Sequence, residues 1–386
     1  MLRHITLLTL LTVFLCAAPT SAQEPQYGDY IDLPGSGWPA DPAVIEKDGT
    51  WYLYPTNSGV SVECWSSTDL ETWTYEGVVW GPAPPGSWND NTVWAPDVFA
   101  YEGSYYLYYT AADMIGVAVA DNPLGPFVDV YDHPLIGGGY GGVMTKSIDA
   151  HMFRDTDGSL YLYATGYLPV SLLRVFPMDD PVTVGGLWQI VLSPKLLSWE
   201  FVCEEGPWMI LHEGVYYLMY SGNLANWPSY GVGYATADNP LGPFTKYERN
   251  PILWFDTDYD FYGPGHHSLT VGPGGDLWMF YHTKVDGEVN WKRRVRKNKV
   301  AFTDDGQIYV DLGLGEPPPL DDDTTDDDTI DDDTVDDDTA HDDDTVDDDT
   351  ADDDTFDNDT TDDDDAGDDD SSTSSKQDND DDGCGC

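Results

Sequence analysis

Five times along the chain, a tight turn is followed by a short stretch in which aromatic or aliphatic residues alternate with other residues. Each turn places an acidic residue or Gly before Gly, which suits the left-handed backbone of a hairpin, and the stretch after it has the period of a half-buried strand. Successive turns start 54 to 61 residues apart. Repeats of this length are typical of propeller blades. The turns begin at Asp48, Glu102, Asp157, Glu213 and Gly274.

We therefore predict an all-β fold, a five-bladed β-propeller over residues 23–319. Five blades of about four strands each need roughly 250 to 300 residues, which this span provides. A second repeat, DNPLGPF at 121–127 and 238–244, indicates that blades two and four end alike. A large β-sandwich is the alternative, but sandwiches show turns every 8 to 12 residues without a superposed longer repeat.

Charge separates the chain into two parts. Of 72 acidic residues in the 386-residue chain, 34 are Asp residues beyond position 320, where the sequence repeats Asp and Thr and ends in Gly-Cys-Gly-Cys. Such a segment cannot bury enough apolar surface to offset chain entropy. We expect residues 320–386 to be a disordered acidic tail, with attachment to the cell surface as one hypothesis for its role.

The first 22 residues have the order of a secretory signal peptide, a basic start, an apolar stretch and small residues near Ala22. We expect a secreted bacterial protein, extracellular or attached to the cell surface, with no transmembrane segment in the mature chain. Nucleic-acid binding is disfavoured because basic residues are few. We also expect a monomer. Cys64 and Cys203 are equally consistent with a disulfide and with buried free thiols.

Each blade is expected to bring one ionisable side chain to the propeller axis, near the start of its first strand. Charges among otherwise apolar strand residues are costly to bury unless they bind or react with something. Several carboxylates around one cleft suit the hydrolysis of sugars, where one carboxyl group donates a proton and another acts on water. The five residues are Asp41, Asp97, Asp149, Glu205 and His266.

The motifs around these residues resemble glycoside hydrolase family 43, five-bladed enzymes that release arabinose or xylose from plant cell-wall polysaccharides. The resemblance implies an inverting glycosidase acting on arabinan, arabinoxylan or xylo-oligosaccharides. It also implies that Asp41 is the general base, Glu205 the general acid and Asp149 the carboxylate that raises the pKa of the acid. The motifs are Ala-Asp41-Pro-Ala-Val-Ile, Trp94-Ala-Pro-Asp97-Val, Ser-Ile-Asp149-Ala, Glu205-Gly-Pro and Gly-Pro-Gly-His266.

Other residues of the predicted site have less specific roles. Adjacent strand residues face opposite sides, so only one of Glu204 and Glu205 can face the channel, and the Gly-Pro after Glu205 selects it. By resemblance, His266 is associated with Ca²⁺ or another cation held largely by water. Candidate substrate-binding residues are Trp94, Asp97, Trp208 and Arg293.

Two alternative functions fit the sequence less well. A noncatalytic carbohydrate-binding propeller on an acidic stalk has no need for a buried acid of raised pKa. A fructan-cleaving enzyme is disfavoured because Pro39-Ala-Asp41-Pro and Glu205-Gly do not match its motifs. The sequence leaves the choice between exo and endo action open.

Overall fold

The computed structural model describes residues 23–317. The predicted signal peptide and the predicted acidic tail lie outside the described residues. Within residues 23–317 there is no α-helix, only two short 3-10 turns at Thr257–Tyr259 and Pro273–Gly275. All other regular structure in this range is β-strand.

Five antiparallel sheets, each built from consecutive strands, form the blades. Blade one contains β1 to β4, blade two β5 to β8, blade three β9 to β13, blade four β14 to β17 and blade five β18 to β21. The strands are β1 (Ala40–Lys47), β2 (Thr50–Thr56), β3 (Val62–Ser67), β4 (Thr74–Trp80), β5 (Val93–Tyr101), β6 (Ser104–Ala111), β7 (Met114–Ala120), β8 (Val128–Asp129), β9 (Ser147–Arg154), β10 (Leu160–Tyr167), β11 (Ser171–Asp180), β12 (Thr183–Val184), β13 (Gln189–Leu192), β14 (Glu204–His212), β15 (Val215–Gly222), β16 (Gly231–Ala237), β17 (Thr245–Lys246), β18 (Tyr262–Val271), β19 (Leu277–Lys284), β20 (Arg293–Phe302) and β21 (Ile308–Asp311).

The five-bladed β-propeller is thus confirmed, and the sandwich alternative is wrong. Each repeated turn of the sequence is the hairpin between the first and second strands of a blade, as in the pairing of Lys47 with Thr50. The first strand of each blade lies next to the first strands of its neighbours, and β18 of blade five lies beside β1 of blade one. Five first strands therefore surround the axis.

The hydrophobic core lies between the blades. Five clusters of buried residues each join one blade to the next, which explains why these strands are rich in aromatic residues. Between blades five and one, the ring of Trp73 meets the edge of Phe280 at a centroid distance of 5.9 Å. Burying such a side chain contributes roughly 1.5 to 3 kcal/mol.

Buried tyrosines on second strands also link the first four blades through hydrogen bonds. Tyr54 donates to the carbonyl of Pro123 in blade two, and Tyr163 donates to the carbonyl of Pro240 in blade four, at 2.7 and 2.5 Å. These two prolines belong to the repeated DNPLGPF segments. Tyr108 makes the equivalent bond to Pro181 at 2.6 Å. The second sequence repeat therefore supplies acceptors for the preceding blade.

Within residues 23–317, no blade combines strands from the two ends of the described chain. Blade five consists of β18 to β21 alone. The segment before β1 instead runs along blade five, where Ile31 N–H donates to the carbonyl of Val295 and Gln26 N–H to that of Leu312. Cys64 is a buried free thiol and does not pair with Cys203. No helix within residues 23–317 is long and apolar enough to cross a membrane.

Candidate active site

A β-bulge with left-handed backbone interrupts the first strand of every blade at the same place. The pairing with the second strand shifts there in all five blades. A bulge re-aims side chains, and a left-handed conformation at a residue other than Gly is uncommon, so the fivefold repetition marks a built feature. The left-handed residues are Asp41, Ala95, Asp149, Gly206 and His266, with φ of 46°, 46°, 55°, 56° and 45°.

The five predicted axial residues take different places relative to these bulges. Asp41, Asp149 and His266 are the left-handed residues of their bulges, whereas Ala95 and Gly206 occupy that place in blades two and four. Asp97 lies two residues after its bulge, whereas Glu205 lies one residue before its own. Each blade thus brings one of the predicted ionisable residues to the region of its bulge, at register positions that differ between blades.

The three predicted catalytic carboxylates nevertheless meet at the axis. Asp41, Asp149 and Glu205 are 4%, 5% and 2% exposed. Asp41 and Asp149 line one axial cavity together with His266, and Gly206 N–H donates to Oδ2 of Asp149 at 3.2 Å. The charges of Asp41 and Asp149 both act on Glu205. The structure therefore brings together residues that are distant in sequence.

Asp41 is held as an ionised carboxylate. Burial by itself would raise its pKa, but Arg293, His266 and His282 together bring the pKa of Asp41 well below its usual range. Arg293 Nη1 donates to Oδ1 at 3.0 Å, and Nδ1 of His282 lies 3.1 Å from the same oxygen. His282 is itself neutral near pH 7, because burial and Arg293 lower its pKa to about 4.

Glu205 has the opposite character. Burial and the charge of Asp149 raise its pKa to about 7, although the hydrogen bond from the Tyr230 hydroxyl to Oε1, 2.7 Å long, opposes this. Burial also raises the pKa of Asp149, as does the charge of Asp41. An ionised carboxylate and a carboxyl group of raised pKa thus share one buried site, which is the combination that acid–base chemistry on a glycosidic bond needs.

Glu204 faces away from this group, as strand alternation predicted. Its carboxylate lies 2.5 Å from Lys246 Nζ, which also contacts Glu200 at 2.6 Å. Burial raises the pKa of Glu204 to about 8, and Lys246 opposes the shift. Tyr220 donates to Glu200 at 2.6 Å. Glu204 therefore belongs to a buried ion-pair cluster inside blade four.

The predicted substrate-binding residues separate into two groups. Trp94 immediately precedes the bulge of blade two, at the level of Glu205 in blade four, and Arg293 reaches Asp41. Asp97 and Trp208 lie two residues beyond the left-handed residues of their bulges and line the same axial cavity as Asp41 and Asp149. There Asp97 accepts a hydrogen bond from Met152 N–H at 3.1 Å, and Trp208 stacks on His151 at 4.1 Å. Substrate contact by these four residues stays a prediction.

His266 occupies the bulge of blade five, with Nδ1 3.5 Å from Oδ1 of Asp41. Within residues 23–317, no group of three or more His, Cys, Asp and Glu side chains is arranged to hold a metal ion. A cation with a full set of protein ligands therefore does not fit these residues. The predicted cation held largely by water stays a prediction.

Four residues that contact the carboxylates were not predicted from the sequence: Thr56, Thr165, Tyr230 and His282. Tyr230 lies in the loop between β15 and β16, and no local pattern sets it apart from the other tyrosines. His282 had a usable signal, because it is the polar residue that ends the aromatic stretch of blade five. Corresponding polar residues end the second strands of the other blades.

The family model described as Glycosyl hydrolases family 43 matches residues 35–308, which include β1 to β20 and the carboxylates Asp41, Asp149 and Glu205. The chain belongs to this family. It is a glycosidase by that membership, and the recognised fold and family are confirmed. Its family 43 relatives include beta-D-galactofuranosidase xynD of Aspergillus niger, 30% identical over 70% of this chain and 82% of that protein.

A second family 43 relative, named beta-xylosidase, comes from Xylanibacter ruminicola and is 28% identical over 71% of this chain and 96% of that protein. Among solved structures, a thermostable family-43 glycoside hydrolase is 32% identical and superimposes with a TM-score of 0.67. That match covers 76% of this chain and 98% of the solved one.

Proposed function

We propose that this family 43 enzyme is an inverting glycosidase that hydrolyses arabinose- or xylose-containing polysaccharides or oligosaccharides of plant cell walls. The observation that supports this most strongly is the opposite shift of two pKa values in one buried site. Asp41 stays ionised, and Glu205, with a pKa of about 7, is available as a proton donor. A noncatalytic carbohydrate-binding protein would not need this pair.

In the proposed reaction, Glu205 gives its proton to the oxygen of the departing sugar while Asp41 takes a proton from the attacking water. The bond from water to the anomeric carbon forms as the glycosidic bond breaks, so the configuration inverts in one displacement. Asp149 keeps Glu205 protonated through its negative charge. Arg293 keeps Asp41 ionised while the carbohydrate binds above it.

The names of the relatives support the substrate class. One relative from Paenibacillus polymyxa is named arabinoxylan arabinofuranohydrolase, and one from Bacillus subtilis is named extracellular endo-alpha-(1->5)-L-arabinanase 2. The galactofuranosidase name of the Aspergillus niger relative adds a third sugar to test.

The deciding experiment is product analysis with proton NMR on linear arabinan, arabinoxylan, xylo-oligosaccharides and an aryl β-D-galactofuranoside. We expect hydrolysis of an arabinose- or xylose-containing substrate, with the first-formed anomer inverted: β-arabinose from an α-arabinofuranoside, or α-xylose from a β-xyloside. A retained anomer rejects the single displacement, and cleavage of the galactofuranoside alone rejects the substrate class.

We also propose that the enzyme is secreted and monomeric, with the acidic tail tethering it to the cell surface. Cell fractionation of the full chain and of a chain ending at residue 319 tests this. We expect mature protein that starts near Gln23, with the full chain on cells and the shortened chain in the medium. Equal distribution of both chains between cells and medium contradicts the proposed tether. A dimer mass in light scattering contradicts the proposed monomer.

A water-held cation near His266 is the last part of the proposal. Elemental analysis of the purified enzyme before and after a chelator tests it. We expect about one bound cation per chain in the wild type and less in His266→Ala. Equal metal content in both proteins contradicts the proposed role of His266.

A further inference from the structure

The second strands of the five blades carry five polar residues at one register position. Each lies opposite the residue that precedes the bulge of its own blade, as Thr56 lies opposite Ala40. All are buried or half-buried. We call this set the interblade ring: Thr56, Thr110, Thr165, Ser221 and His282.

Four members of the interblade ring accept a hydrogen bond from the bulge of the next blade. The distances are 2.7 Å from Ala95 N–H to Thr56, 3.1 Å from Asp149 N–H to Thr110, 2.8 Å from His266 N–H to Ser221 and 3.3 Å from Asp41 N–H to His282. In blade three, Thr165 instead donates to Oδ2 of Asp149 at 3.2 Å. The interblade ring thus fixes the bulges of neighbouring blades relative to each other.

Thr56 differs from the other members of the interblade ring, because it bonds both a bulge backbone of the next blade and a carboxylate of its own blade. Ala95 N–H is only a donor, so it takes a lone pair of the Thr56 hydroxyl and leaves the hydroxyl proton for another acceptor. Oδ2 of Asp41 accepts that proton at 2.7 Å. The hydrogen bond from Ala95 of blade two therefore directs the Thr56 O–H bond toward Asp41.

The two carboxylate oxygens of Asp41 are consequently bonded to groups that depend on different neighbouring blades. Oδ1 accepts from Arg293 of blade five at 3.0 Å, and Oδ2 is tied through Thr56 to the backbone of blade two. Asp41 itself is in a left-handed conformation, φ 46°, and lines the axial cavity. Without Thr56, only the blade-five side of the carboxylate would be fixed.

We propose that Thr56 is a positioning residue for Asp41. It holds Oδ2 in one orientation, so that the lone pairs of the carboxylate that remain free face the water to be activated. This inference rests on the proposed role of Asp41 as general base. Misplacement of a reacting group by about 1 Å can cost 100-fold in rate, so the position of one hydroxyl has a measurable effect.

The test compares Thr56→Val, which keeps the shape and removes the hydroxyl, with Thr56→Ser, which keeps the hydroxyl. We expect Thr56→Val to lower kcat at least about tenfold with KM within about twofold, and Thr56→Ser to stay within about threefold of wild type. The loss in Thr56→Val should be the same for aryl glycosides with good and poor leaving groups, because Asp41 acts on water.

Ser67→Ala is the matched control. Ser67 is a buried hydroxyl of the same blade that accepts from Leu70 N–H at 2.9 Å, far from Asp41 in the sheet. We expect it to lower the melting temperature as Thr56→Val does while leaving kcat unchanged. Wild-type kcat in Thr56→Val, failure of Thr56→Ser to restore kcat, or an equal kcat loss in Ser67→Ala overturns the inference.

These outcomes are distinct from failure of the proposed function. Equal kcat of Thr56→Val and wild type on a substrate that wild type inverts removes the positioning role and leaves the hydrolytic proposal intact. A retained first product contradicts Asp41 as the base and thereby removes this inference as well.

Discussion

Glu204 and Glu205 are neighbours in sequence and almost equally buried, yet they lie in different chemical surroundings. Both have raised pKa values, about 8 and about 7. Glu204 is paired with Lys246, whereas Glu205 faces Asp149 and the Tyr230 hydroxyl. A raised pKa alone therefore does not identify a proton donor. What distinguishes Glu205 is that its neighbours are the carboxylates of Asp149 and Asp41 at the axis, whereas Glu204 is paired with a lysine.

The largest expected effect comes from Glu205→Gln. We expect kcat/KM on unactivated oligosaccharides to fall at least about 100-fold, because the departing sugar no longer receives a proton. Aryl glycosides whose phenol is acidic leave without protonation, so their hydrolysis should fall much less. Steady-state kinetics on both substrate types measures the difference. An equal loss on both would contradict a proton-donor role.

Asp149→Asn should have the next largest effect on activity. The variant removes the negative charge that raises the pKa of Glu205, so the acid loses its proton at lower pH. We expect the alkaline limb of kcat/KM, near pH 7 in the wild type, to move to lower pH, and the maximal rate to fall about 100-fold through lost orientation of the site. An unmoved limb would show that Asp149 does not act on the acid.

Tyr230→Phe should move the same limb in the opposite direction. The Tyr230 hydroxyl stabilises the ionised form of Glu205, so its removal raises the pKa of the acid. We expect the alkaline limb at higher pH and kcat lowered about tenfold, from the loss of one hydrogen bond to a group that becomes charged. Movement of the limb to lower pH is the contrary result.

Glu204→Gln should affect turnover least. We expect kcat within about threefold of wild type, because Glu204 does not face the site. The effect should appear in stability: a folded-state pKa raised to about 8 favours the fold below about pH 4.5, and this contribution is lost as the pH rises through about 8.

Denaturant unfolding between pH 4.5 and 8 measures this contribution. The wild type should lose up to about 1.4 kcal/mol per pH unit relative to Glu204→Gln over that range. The comparison fails if Glu204→Gln abolishes hydrolysis while Glu205→Gln preserves it.

Much of the fold could be predicted because each blade repeats the same turn and strand. Five hairpins with similar spacing leave few architectures, and strand alternation together with the Gly-Pro after Glu205 separated Glu205 from Glu204. The register at the axis was harder, since the spacing between each turn and its axial residue varies among the blades and does not show which residue carries the bulge. In blades one, two and four, a proline marks the equivalent position in the sequence. Pro42, Pro96 and Pro207 each directly follow the left-handed residue of their bulge.

The rest of the site depends on contacts between blades. Tyr230 and His282 reach the carboxylates from other strands and loops, and sequence spacing within one blade does not report which neighbour a side chain will meet. Thr56 is similar, since its contact with Ala95 crosses from blade one to blade two. A sequence repeat predicts the strands of each blade more readily than the side-chain contacts between neighbouring blades.

The bonds of Asp41 to His282 and Arg293 join residues 241 and 252 positions apart. The ribosome makes Asp41 early and Arg293 late, so a nascent chain carries the base long before its partners exist. A truncated product that ends before blade five lacks the groups that hold this carboxylate ionised. Completion of synthesis and acquisition of a working base are therefore coupled at the seam where the two ends of the propeller meet.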